Sequence, residues 1–253
     1  MHRRALVALV LIAAVSAAGA ASAAEAPKIE KQEWSFSGIF GRYDKAAARR
    51  GFTVYNDVCA ACHSMDLLYY RNLQGIGFSE EQVEEIAAQK FVTDGPNDLG
   101  EMFERPARAN DHFVAPFPNE VVARLANNGA LPPDLSLIVK ARKGGPDYVY
   151  ALLNGYVDPP ADFTLSPGLF YNSAFPGHQF AMPPMLADGL VEYADGTRAS
   201  VQQMSHDVAT FLAWASEPHM EPRKRLGLKV MLFLGLLTAM LYAVKRKVWE
   251  KLH

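Results

Sequence analysis

Cysteine is scarce in this chain: 253 residues hold two, Cys59 and Cys62, both in the stretch CAACH. That scarcity excludes a disulfide framework, and it excludes a zinc site built from two CxxC halves, which needs four ligands. A disulfide within the pair would close a tiny loop and add little stability. Runs of alternating strand character are also missing, so CAACH lacks the strand and βαβ context of a thioredoxin-type redox pair. No internal repeat is present, and no excess of basic charge marks a nucleic-acid binder, since 25 Lys and Arg face 27 Asp and Glu.

Long apolar runs occur only at the two ends. Residues 1–24, MHRRALVALVLIAAVSAAGAASAA, place Arg3 and Arg4 before an apolar stretch and close on small residues, the pattern of a cleaved signal peptide. Residues 226–244 form a 19-residue apolar run whose one charge is Lys229, close enough to its start to snorkel. That length suits a bilayer core of about 30 Å. Basic clusters flank it, Arg223-Lys224-Arg225 and Lys245-Arg246-Lys247, so loop charge alone does not orient it. An exported N-terminus does, leaving residues 245–253 in the cytoplasm. The expected organisation is a signal peptide (1–24), an extracytoplasmic domain (25–218), a basic hinge (219–225), a transmembrane helix (226–244) and a cytoplasmic tail (245–253).

The formal net charge of −2 conceals an asymmetry. Two basic residues lie in the leader, and eight basic and two acidic residues follow Pro218. Between Glu25 and Glu217 that leaves 15 basic and 25 acidic residues, a net of −10. Such a domain favours a basic partner.

Helical signals in the domain fall at 44–62, where Phe52, Tyr55, Val58 and Cys62 share a stripe, and at 79–90, opened by Ser79 with acidic residues in the first turn. Further short helices are expected over 119–128 and 146–155. Residues 200–216 show the clearest apolar face: Val201, Met204, Val208, Phe211, Leu212 and Ala215. Between them run Pro- and Gly-rich stretches, VDPPADFTLSPGLFYNSAFPGHQFAMPPML the longest. The fold class is mainly α, with long ordered loops and one C-terminal transmembrane helix. Loops of that length leave a domain short of core, a shortage that a large buried cofactor would repair.

C-x-x-C-H is the signature of c-type haem attachment. Three-residue spacing lets Cys59 and Cys62 make two thioethers to the haem vinyl groups while His63 meets the iron, and export fits that chemistry. One motif means one haem. Among the methionines, Met65 is too near the motif to reach the opposite haem face, and Met204 belongs to an apolar helix face. Met182 leads as the sixth ligand, in a loop stiffened by Pro183 and Pro184, with Met185 and Met102 behind it and His112 or His178 as bis-histidine alternatives.

Four blocks, RRGFTVYNDVCAACHSM, LANNGALPPDLSLIVKARKGGPDYVYALLNGY, FPGHQFAMPPML and DVATFLAWASEPHMEPRKRLGLKVM, come in an order that resembles the cytochrome c1 family of bacterial type. The resemblance runs from about Trp34 to the tail. It implies a cytochrome c-type haem domain in the cytochrome bc1 complex, with His63 and Met182 as axial ligands. It further implies a haem propionate on Arg142, and Asn127, Pro133 and Tyr148 lining or hydrogen-bonding the haem pocket. Implied partners are cytochrome b, the Rieske iron–sulfur protein and an accepting cytochrome c, in a dimeric complex of the inner membrane with the haem domain in the periplasm. By itself such a chain carries electrons and makes or breaks no substrate bond. Other readings open to the same residues are a haem c subunit of another respiratory complex and a membrane-anchored haem sensor. Glu80, Glu81, Glu84 and Glu85 are candidates for an acidic docking surface.

Overall fold

The structure, a computed structural model, describes residues 27–250; the expected leader and the last three residues lie outside the described residues. The chain is mainly α. Helix α1 spans Lys45–Asp57 and opens on Asp44, whose carboxylate accepts the Ala46 and Ala47 N–H groups at 2.9 and 3.1 Å. A 3₁₀ turn, Cys59–Ala61, follows directly, and a second 3₁₀ segment covers Tyr70–Ile76. Helix α2, Glu80–Ala88, starts with a capping box between Ser79 and Gln82. A two-stranded antiparallel ribbon, β1 (Phe91–Asp94) and β2 (Phe103–Pro106), comes next. Short helices α3 (Glu120–Ala126), α4 (Ile138–Ala141) and α5 (Pro146–Asn154) lead to a two-residue ribbon, β3 (Phe170–Tyr171) with β4 (Gln179–Phe180). Helices α6 (Val201–Ser216) and α7 (Met220–Trp249) end the described chain.

Helix α6 is the hub on which α1, α4 and α5 pack. Its approach to α1 is close: a Cβ on Gly51 would stand 2.0 Å from the Asp207 carbonyl oxygen and 2.7 Å from Phe211 Cβ, so only glycine fits. Around this contact Phe52, Tyr55, Phe211 and Phe113 interlock, with ring centroids 5.7–6.2 Å apart. Sequence periodicity predicts one apolar face for α6, yet nearly the whole helix is buried, including Ser205, Asp207, Thr210 and Ser216. Its polar residues are absorbed locally. The Thr210 and Ser216 hydroxyls donate to the His206 and Leu212 carbonyls at 2.9 and 2.8 Å. Fully buried Asp207 accepts a two-pronged bond from Arg50 at 2.8 and 3.1 Å.

Helix α7 is a 30-residue helix with a mean hydropathy of 1.9 in its most apolar stretch, long and apolar enough to cross a membrane. At 1.5 Å per residue it reaches about 45 Å, and it fits a single-pass anchor. The basic segment before the apolar run is already helical from Met220 onward.

Candidate haem site

The expected helix over 44–62 stops at Asp57, and the cysteines sit on the 3₁₀ turn beyond it. In a 3₁₀ turn residues i and i+3 eclipse, so Cys59 and Cys62 share a face more directly than α-helical spacing would allow. The Cys59 carbonyl closes the turn by accepting the N–H groups of Cys62 at 3.1 Å and His63 at 2.9 Å. Burial, reinforced by the neighbouring Cys62, pushes the Cys59 thiol up to about 12. A thiolate for zinc or redox exchange is thereby disfavoured.

His63 is half-buried, and its Nδ1 lies 2.8 Å from the Pro133 carbonyl oxygen. A carbonyl only accepts, so Nδ1 carries the proton and Nε2 keeps its lone pair. Burial lowers the imidazole below its ordinary range, only partly offset by that bond and by Asp134, which keeps the ring neutral. A neutral imidazole with Nδ1 tied to a backbone carbonyl is the form that binds a metal.

Pro133 is held in turn by its neighbour, which the sequence did not single out. The Asp134 carboxylate accepts from Ser64 Oγ and the Asp66 N–H, each at 2.8 Å, and from the Ser136 N–H at 2.8 Å. The Leu135 N–H donates to the Ser64 carbonyl at 2.9 Å. Burial alone would raise the Asp134 carboxyl; the bonds from Asp66, Ser136 and Ser64 outweigh it and hold the group below the usual carboxylate range. In PPDLS, the aspartate between Pro and Leu reads as simple turn chemistry, so its role across some 70 residues was invisible.

The other expected residues fall into two groups. Asn127 caps α3, its Nδ2 donating to the Ala123 carbonyl at 2.8 Å. Arg142 is exposed and has no carboxylate partner among the described residues. Tyr148 lies close by: burial raises its phenol and the Arg142 charge partly offsets that rise. The Gly144 turn folds onto the same side chain, a Cβ there falling 3.2 Å from Tyr148 Cβ.

Exposure separates the methionines. Met65 and Met204 are sealed in the core at 0 %, whereas Met102 and Met185 stand 61 % and 41 % exposed. Met182 is half-buried, and its carbonyl accepts the Tyr156 hydroxyl at 2.9 Å. Its loop hangs on one buried side chain, Asn172. The Asn172 Nδ2 donates to the Leu152 carbonyl at 2.8 Å, and its Oδ1 accepts the Ala174 N–H at 3.0 Å. The backbone N–H of Asn172 donates to the His178 carbonyl at 3.0 Å. Gly155 makes room, since a Cβ there would sit 2.6 Å from Asn172 Oδ1. His112 is exposed and its ring lies tilted against Tyr69, 3.9 Å between centroids. His178 donates from Nδ1 to the Asn172 carbonyl at 3.0 Å and lines a cavity of about 360 Å³ beside Pro27–Gln32. His206 is stacked on Trp34 at 4.8 Å.

These residues fit haem c. The donor set would be a neutral imidazole with a bare Nε2, two half-buried thiols on one face, and a thioether in a restrained loop. Tyr148, Tyr156, Phe180 and Met182 are half-buried without packing on the main core, an apolar surface that a flat macrocycle would cover.

The model of the Cytochrome C1 family matches residues 34–252. A cytochrome c1 of Rhodospirillum rubrum is 48% identical over 238 residues, 88% of each chain. A mitochondrial haem protein of Solanum tuberosum, cytochrome c1-2, is 53% identical over 221 residues, 87% of this chain and 84% of its own. A cytochrome b/c1 of Bradyrhizobium diazoefficiens is 47% identical over 243 residues, 87% of this chain and 35% of that one. Taken with the CAACH turn and its neutral histidine, they place the chain in the cytochrome c1 family, the haem c subunit of the bc1 complex.

Proposed function

We propose that the chain is a one-electron relay within its complex, accepting an electron from the Rieske iron–sulfur protein and delivering it to a cytochrome c. The observation that carries this reading is the His63 tautomer, fixed by the Pro133 carbonyl at 2.8 Å on a CxxCH turn. Bound haem supplies the one-electron ferric/ferrous couple. Cys59 and Cys62 would attach it, His63 Nε2 and the Met182 sulfur would hold its iron, and Arg142 would pair a propionate. Held by both His63 and Met182, the iron would be closed to small ligands, and the site would serve electron transfer rather than activation of a substrate. Asn127 and Tyr148 line the pocket.

The exposed carboxylates of Glu80, Glu81, Glu84 and Glu85 on α2 offer a basic cytochrome a docking face. In this reading the leader exports the head domain to the periplasm and α7 leaves the C-terminus in the cytoplasm. Cytochrome b and the Rieske protein are its companions in a dimeric complex of the inner membrane. Near-infrared spectroscopy of the oxidised protein tests the ligand set. A weak sulfur-to-iron band is expected, and Met182→Leu should abolish it. A band that survives this change, or a native haem that readily takes carbon monoxide, would overturn the assignment.

A further inference from the structure

The turn at residues 35–41 has a tip that the electron-transfer reading leaves unused. Its base is rooted in the core: Trp34 is buried, Phe36 stacks on it at 5.4 Å, and Phe36 meets Tyr43 at 5.2 Å. Its backbone is drawn tight, with a Cβ on Gly41 falling 2.1 Å from the Ser37 carbonyl oxygen. Lys224, in the first turns of α7, donates to the Phe36 carbonyl at 2.7 Å, to that of Gly38 at 2.6 Å and to that of Gly41 at 3.3 Å. The Tyr43 N–H reaches Glu221 at 3.2 Å. A turn fastened this firmly nevertheless presents Ile39 and Phe40 at 70 % and 80 % exposure.

Where it points is set by a small cavity of about 90 Å³, lined by Ile39, Phe40, Arg42, Arg225 and Leu228 together. Leu228 is the third residue of the apolar run 226–244, so the tip lies level with the first turn of the anchor. The charges around it are mostly positive. Glu221 is engaged by the Tyr43 N–H and, at 3.6 Å, by Arg225. Arg42 and Lys229 have no carboxylate partner among the described residues.

We propose that this turn is a second membrane contact of the head domain. Ile39 and Phe40 sit in the interfacial layer beside α7, and Arg42 and Arg225 meet the phosphates of anionic lipid headgroups. Two adjacent bulky apolar side chains continuous with an apolar span, under a rim of arginine, match an interfacial anchor in both polarity and charge. Seated there, the turn fixes the tilt of the head domain over the membrane, because Lys224 makes turn and anchor one unit.

The proposal rests on α7 spanning the membrane, and its test separates the two. A photoreactive p-benzoylphenylalanine replaces Phe40 in the full haem-loaded chain, held in nanodiscs of equal phosphatidylcholine and phosphatidylglycerol and, separately, in the assembled complex. The same replacement at Leu234 serves as the control within the span. After illumination, mass spectrometry should find lipid adducts at both positions. At position 40 the anionic lipid should be enriched roughly fivefold, falling to parity in R42Q/R225Q. Adducts at position 40 to another protein in the complex, or none while Leu234 labels lipid, overturn the membrane contact. Equal labelling of the two lipids by the wild-type chain overturns the arginine–phosphate half. A Leu234 position that never labels lipid sinks the spanning reading instead.

Discussion

The two sides of the candidate haem site are held by different means. On the His63 side, α1 and α6 meet at Gly51 and bury Phe52, Tyr55 and Phe211, and the Pro133 loop is laced to Ser64 and Asp66 by the Asp134 carboxylate. The Met182 side is a long loop closed by a two-residue ribbon and a few polar side chains, chiefly Asn172 and the Tyr156 hydroxyl, with Ser173 and Gln179 beside them. Its apolar contacts include Phe175 stacked on Phe180, 4.5 Å apart, and Phe163 edge-on to Tyr171 at 4.9 Å, all of them half-buried. One side carries its own core; the other would take its apolar cover from a bound haem. In the proposed ligand set, such a loop would yield Met182 without unfolding the domain, whereas His63 is tied to the packed side of α1.

Removing the cofactor should therefore divide the molecule. In a Cys59→Ala/Cys62→Ala chain, hydrogen exchange at residues 156–186 should approach that of an unfolded segment, while α1 and α6 keep their protection. Uniform loss of protection across both would erase the distinction. The reciprocal blow falls on the core. Asp207→Ala leaves Arg50 without its buried partner and should cost about 3–5 kcal/mol in a denaturant melt of the haem-loaded protein. In the molecules that remain folded, the sulfur-to-iron band should be unchanged.

How much of this was legible in the sequence follows the same division. The helix starts at Asp44, Ser79, Asn119 and Ser200 came through, because each of these residues caps a helix, whereas the early end of α1, the 3₁₀ segment Tyr70–Ile76 and α4 did not. CAACH and the apolar run of α7 are local signals and needed no fold. The full burial of α6 was not legible, since Asp207 and Thr210 read as a wet face until Arg50 and the helix's own carbonyls are seen to absorb them. Asp134 and Asn172 were missed for a related reason. Each works through bonds to residues tens of positions away or to a turn's own backbone, and nothing in a periodicity reports such partners. Arg142 and Tyr148 came from motif resemblance, and Met182 from its Pro-stiffened loop as well as from that resemblance; their neighbourhoods came only with the structure.

Asp134 offers a finer cut on the His63 side. Asp134→Ala strands the Ser64 hydroxyl and two backbone N–H groups, a loss of roughly 2 kcal/mol, and should loosen Pro133 from His63. Acid should mimic it. Because its folded value is depressed, Asp134 contributes stability that is present above the unfolded value of about 3.9 and is lost as pH falls through the lower folded value. Asp66, raised by burial and by Asp134, has the opposite sign and softens the slope. Below about pH 4 the wild-type protein should lose histidine ligation over a range where the alanine variant, already loosened, changes less. Magnetic circular dichroism of the haem reads both.

The smallest change sharpens the comparison most. Tyr156→Phe keeps the ring beside Phe180, 6.4 Å between centroids, and deletes only the hydroxyl that reaches the Met182 carbonyl at 2.9 Å. One such bond is worth about 1 kcal/mol. If the loop is a separately yielding unit, that loss appears where methionine competes with an added ligand. The affinity of the oxidised protein for imidazole should rise about fivefold, with the denaturation midpoint of α1 and α6 nearly unmoved. If instead the midpoint falls and imidazole affinity stays put, the loop and core unfold as one, and the half-buried surface around Met182 is held by the protein rather than by its cofactor.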